Sequence, residues 1–153
     1  MKKVFITLIS FSLLVMTSFA QGEMKDDDVK AIKEVIRTAY VDGLQNRGDL
    51  DLTRKGFHEG FELLGVRDNN LTKFPIYAWV NYVEAAKEKS PEPPAGDELV
   101  TVKFLDVDVT GDAAIAKIEL HKGGKHIFTD YLSLYRFEEG WRIVSKIYYR
   151  VPE

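Results

Sequence analysis

The 153-residue chain has no cysteine. That absence excludes disulfides, a thiolate nucleophile, thiolate metal ligation and a lipid anchor on an N-terminal cysteine. Stability must come from packing alone. Histidine is scarce as well, with only 3 residues, and His58, His121 and His126 include no pair at helical i, i+4 spacing, so no metal site is expected. The formal net charge is −3, and no basic block lies beyond Lys2 and Lys3. Nucleic acid and anionic membrane surfaces are therefore poor partners. The chain also lacks a phosphate-binding glycine loop, a nucleophile elbow and a dinucleotide fingerprint, so no cofactor is expected.

The N-terminus carries a different message. Lys2 and Lys3 precede an apolar run from Val4 to about Met16, and Ser18-Phe19-Ala20 places small residues at both recognition positions of a cleavage site. A transmembrane anchor would need about twenty apolar residues, whereas Gln21 opens a polar run to Asp28. Residues 1–20 are read as a signal peptide and 21–27 as a flexible mature N-terminus. Residues 28–150 then form a single domain, exported to the periplasm or beyond with no stable membrane anchor after cleavage near Ala20.

From Asp28 the apolar residues Val29, Ile32, Val35, Ile36, Ala39, Tyr40, Gly43 and Leu44 fall on one helical stripe. Asp27 or Asp28 suits its start and Gly48 its end. A short second helix is expected from Leu50 or Asp51 to about Phe57, and a hairpin from Glu59 to Phe74 about Asp68, Asn69 and Asn70. Pro75 fits the first turn of a third helix carrying Ile76, Trp79, Val80 and Val83. After the proline-rich connector Lys89 to Glu98, four strands are predicted: Leu99 to Val109, Ala113 to Lys122, His126 to Phe137 and Trp141 to Arg150.

Register follows from asking which pairing gathers apolar residues on one face. A three-residue turn, Gly123 to Lys125, sets Leu120 opposite Phe128, Ile118 opposite Asp130 and Ala116 opposite Leu132. A two-residue Glu139-Gly140 turn sets Leu134 opposite Ser145 and Leu132 opposite Ile147, which puts Tyr149 on the apolar face. In Leu99 to Val109 the apolar parity switches, which predicts a bulge and a bent strand. Three helices with a curved sheet wrapped around them make an α+β domain shaped as a cone.

One residue stands out. In the row Phe128, Asp130, Leu132, Leu134 a carboxylate sits among apolar neighbours, where it must be hydrogen-bonded, proton-bearing or facing a cavity. The run Phe128 to Tyr149, the Gly-Trp-Arg-Ile start of the last strand, Lys55 to Val66 and the order of elements resemble the nuclear transport factor 2-like superfamily, closest to its putative lumazine-binding branch. That resemblance spans about residues 27 to 150 and implies a cystatin-like cone with a pocket, frequent dimers, and relatives that either bind small molecules or use Asp and His as acids and bases.

The expected function is export and binding of a small cyclic or aromatic molecule, pterin-like by the resemblance, with Asp130 as polar anchor. The alternative is a cofactor-free isomerase, dehydratase or cyclase with Asp130 as general acid or base and His58 or a tyrosine steadying charge. Tyr40, Phe57, Phe61, Trp79, Tyr82, Ile118 and Tyr149 are the expected pocket lining, although such aromatic spacing also describes plain core. His121 and His126 are expected to face solvent beside the Gly-Gly turn. The opposite sheet face, with Tyr131, Ser133, Tyr135, Val144, Lys146 and Tyr148, is the expected homodimer contact.

Overall fold

A computed structural model describes residues 25–152. The signal-peptide reading of residues 1–20 falls outside them. Residues 25–27, expected to be flexible, are already helical. This first helix (α1) continues as a π-helix over Ile36–Gln45. Asn46 ends it, and the Asn46 side chain both donates to Val100 O and accepts from Val100 N, tying the helix end to the sheet.

Helix α2, Leu50–Gly56, starts at Asp49, whose carboxylate accepts from the Asp51 and Leu52 amides. It is too short to persist alone and leans on α1. The crossing is close because Gly56 lies where any side chain would overlap Ala39 Cβ. Strands β1, Phe57–Arg67, and β2, Asn70–Pro75, form the expected hairpin. Helix α3, Ile76–Lys89, follows, and a 3-10 turn at Gly96–Glu98 leads into β3, Val100–Thr110, β4, Ala113–Lys122, β5, Lys125–Phe137, and β6, Gly140–Arg150.

The six strands make one sheet in the order β2-β1-β6-β5-β4-β3, antiparallel except for β1 against β6. Helices cover its concave side, and the core of Ile32, Ile36, Ala39, Tyr40, Phe57, Phe61, Ile118, Leu132 and Ile143 lies between the layers. The parity switch in β3 is a bulge between Phe104 and Asp106. In β4 and β5 the expected partners Leu120–Phe128, Ile118–Asp130 and Ala116–Leu132 are present. They arise through a two-residue turn, Gly123 and Gly124 both at positive φ, and a bulge two residues further on.

The last hairpin differs from expectation. Phe137 pairs with Gly140 and Leu134 with Ile143, then an irregularity shifts the ladder so that Ser133 pairs with Ser145 and Leu132 with Lys146. Val144 is the extra residue. A one-residue shift moves every later side chain to the other face. Lys146 and Tyr148, expected outside, share the concave face with Asp130, while Ile147 and Tyr149 point outward and are 52% and 58% exposed.

Candidate functional site

Asp130 is fully buried in β5, and its partners come from two other elements. From α1, the Tyr40 hydroxyl donates to Asp130 Oδ2 at 2.6 Å. From β6, Lys146 Nζ donates to the same oxygen at 3.0 Å and to Tyr40 Oη at 2.6 Å. Gln45 Nε2 donates to Tyr40 Oη at 3.2 Å. Tyr40 and Gln45 stand five residues apart, a spacing that an α-helix would splay by about 140°. The i→i+5 winding of the π-helix brings such residues onto one face.

Lys146 is the residue that sequence reasoning misplaced. Its ammonium lies 4.8 Å from the Tyr40 ring centre, 5.3 Å from Tyr148, 5.5 Å from Trp79 and 6.0 Å from Phe128. Faces of aromatic rings attract a cation, more strongly where water is excluded. Burial holds the Lys146 pKa below its ordinary value of 10.5, against the attraction of Asp130 that works to raise it. Burial, followed by the charge of Asp130 and the hydrogen bond to it, raises the Tyr40 pKa well above 10.0. The raised value keeps the Tyr40 proton in place at neutral pH.

The cluster leaves two hydrogen-bonding positions open. Asp130 Oδ1 is buried without a partner, and Lys146 uses two of its three N–H donors on Tyr40 and Asp130. The cluster thus keeps one unused acceptor on Asp130 and one unused donor on Lys146, with the rings of Tyr40, Trp79, Phe128 and Tyr148 around the ammonium. Trp79 is half-buried and Tyr148 is 42% exposed, so these two form the outer rim. Phe74 extends it, with its ring centre 6.4 Å from that of Trp79.

The other expected pocket residues divide. Tyr40, Phe57, Phe61 and Ile118 lie in the cone but are packed core, each at most 2% exposed. Tyr82 is 71% exposed and Tyr149 faces away from Asp130, so neither lines the cone: Tyr82 lies on the solvent side of α3, and the β6 bulge turns Tyr149 outward. His58 does not meet Asp130. Its ring stacks on Phe137, with centres 4.8 Å apart, and it lines a separate cavity of about 550 Å³ with Arg54, Phe57, Asn81 and Arg142. His121 and His126, expected in solvent, are half-buried and stack on each other at 5.3 Å. Among the described residues no group of three or more His, Asp or Glu side chains could hold a metal ion.

The putative lumazine-binding family model matches residues 27–149. The chain belongs to that family. A nuclear transport factor 2-like protein of unknown function from Shewanella baltica is 30% identical, with 83% of this chain and 96% of that one covered and a TM-score of 0.63. A second, from Silicibacter pomeroyi, is 23% identical, with coverage of 82% and 98% and a TM-score of 0.64. A cystatin-like domain of unknown function from Nostoc punctiforme is 16% identical, with coverage of 83% and 79% and a TM-score of 0.57. The latter two establish a shared fold. No curated protein matches. The expected nuclear transport factor 2-like, cystatin-like α+β architecture is therefore the one this family member adopts.

The sequence of β6 carries a trace of its irregularity, though not of the face on which Lys146 lies. In Trp141 to Arg150 the apolar residues occupy one parity up to Ile143 and both parities afterwards, the same kind of irregularity that announces the bulge in β3.

Proposed function

We propose that this is an exported small-molecule-binding protein that takes a flat heterocycle into the mouth of the cone, above the Asp130–Lys146–Tyr40 cluster. The observation that supports it is the unused pair beneath the aromatic rim: Asp130 Oδ1 as acceptor and the third Lys146 N–H as donor. A ring edge carrying an N–H next to a C=O complements that pair, and pterin-like rings, lumazine included, have such an edge. Trp79, Tyr148 and Phe128 supply flat surfaces for stacking. Asp130 is fully buried, so entry requires the aromatic side chains around Lys146, Trp79 and Tyr148 among them, to move.

Asp130 serves in this reading as an anchor. Proton transfer by Asp130, as in an isomerase or dehydratase, is less favoured by the geometry because Lys146 and Tyr40 both bind its Oδ2. Calorimetric titration with lumazine tests the proposal. Binding should weaken at least tenfold in Trp79→Ala and in Asp130→Asn, with both variants folded by circular dichroism. Unchanged affinity in both would remove the site, and no binding by the wild-type protein at millimolar lumazine would remove the ligand class.

The outward sheet face carries Ile115, Tyr131, Tyr135, Ile147 and Tyr149, each 45–58% exposed. With Ser133 and Ser145 between them, this is the surface for a homodimer, now without Lys146 and Tyr148. Sedimentation equilibrium should give a dimer at micromolar concentration that Tyr131→Glu dissociates. A wild-type monomer would dismiss it.

A further inference from the structure

We propose that the cavity lined by His58 is a second, independent binding site, outside the cone, for a small organic monocarboxylate with an apolar body. The cavity measures about 550 Å³ and lies between the end of α2, the start of β1, the first turns of α3 and Arg142 of β6. That volume is within the usual range for metabolite-sized ligands. Phe57, Ile76 and Val80 give it an apolar floor, and all three are buried.

The polar wall is mostly donors. His58 Nδ1 accepts the Gly60 backbone N–H at 3.0 Å, so the neutral imidazole carries its proton on Nε2 and presents a donor there. Arg142 lies with its guanidinium 5.8 Å from the Phe137 ring centre, on the same ring that His58 stacks against. Phe137 thus packs against both donor-bearing side chains. Arg142 has one ion pair, to Glu139 at 3.4 Å, which leaves most of its five N–H donors unused. Arg54 is held from the opposite side by Asp51 and Glu84, and Asn81 adds an amide.

A guanidinium fork and an imidazole N–H lining one cavity can both donate to the oxygens of a carboxylate. Glu59, also in the wall, makes the site unfavourable for a dianion, which selects a monocarboxylate over a phosphate monoester. Phe57 divides this cavity from the Asp130 cluster, its ring standing edge-on to Tyr40 with centres 6.2 Å apart. The two sites are thus chemically distinct, and this inference does not rest on lumazine binding in the cone.

Benzoate is a suitable probe, with benzyl alcohol as its neutral counterpart. In proton–nitrogen correlation spectra of the purified protein, benzoate should produce saturable shifts in the His58 ring and Arg142 side-chain signals, and benzyl alcohol should bind at least tenfold more weakly. Arg142→Gln should reduce benzoate affinity about tenfold while leaving the lumazine titration unchanged. His58→Phe, which keeps the stack on Phe137, should reduce it by a similar factor. Equal binding of acid and alcohol, full affinity in Arg142→Gln, or no saturable shift at millimolar benzoate would each overturn the assignment.

Discussion

Lys146→Met is expected to lower the unfolding free energy by about 3–5 kcal/mol, because it strands the Asp130 carboxylate in the core without its cation. The environment is unforgiving: Asp130 is fully buried and Lys146 is 4% exposed. Adding Asp130→Leu to Lys146→Met should restore most of the loss, since an apolar pair of similar volume avoids the desolvation of both ions. Urea denaturation of the two single variants and the double variant measures the coupling. A Lys146→Met loss below about 1 kcal/mol, the range of an exposed ion pair, would mean that Lys146 faces solvent.

The same cluster shapes the alkaline limb of stability. Lys146 has a lowered pKa, so between its folded value and 10.5 the unfolded chain binds more protons and stability rises with pH. Tyr40 has a raised pKa, so above about pH 10 the folded state holds a proton that the unfolded state has lost. Its contribution therefore falls away as pH climbs toward the folded value. Lys146→Met should abolish the rising part and leave the fall.

Phe57→Ala is expected to cost about 3–5 kcal/mol, as for other buried aromatic truncations, and to do something a generic core change would not. Phe57 touches both Tyr40 and the His58 cavity, so its loss joins that cavity to the buried cluster. Reductive methylation followed by peptide mapping should leave Lys146 unmodified in the native wild-type protein and modify it in the variant. Phe57→Leu, which keeps more volume, provides the comparison if the alanine variant unfolds at the labelling temperature. Lys146 protected equally in a folded Phe57→Ala protein would show that Phe57 is not the partition.

What was legible in the sequence followed from strong periodicity and turn chemistry. The stripe of Ile32, Ile36 and Ala39 and the Asp68-Asn69 turn each depend on a few local residues and form where those residues place them, whereas the three-residue turn expected at Gly123 is a two-residue turn followed by a bulge. Asp130 was legible as an anomaly because a single carboxylate interrupts an apolar row. Its cation was not, since the Val144 bulge reverses the parity of β6 and puts Lys146 and Tyr148 inside, Ile147 and Tyr149 outside. The contribution of Gln45 was hidden for a similar reason, because a 3.6-residue period does not place it beside Tyr40. His58 was singled out as a group that could steady charge beside Asp130. Its separation from Asp130 depends on where Phe57 lies, a three-dimensional fact that no spacing along the chain encodes.

Lys146 lies inside the cone, and in the proposed function it forms part of the floor on which a ligand rests. Nitrogen-15 labelling of lysine side chains, read by heteronuclear correlation at neutral pH, tests it most directly. One ammonium signal should be protected from solvent exchange, vanish in Lys146→Met, and shift on addition of lumazine. A spectrum in which every lysine ammonium exchanges at the rate of an exposed side chain would contradict the claim, and a protected Lys146 signal that lumazine leaves unmoved would contradict its part in binding.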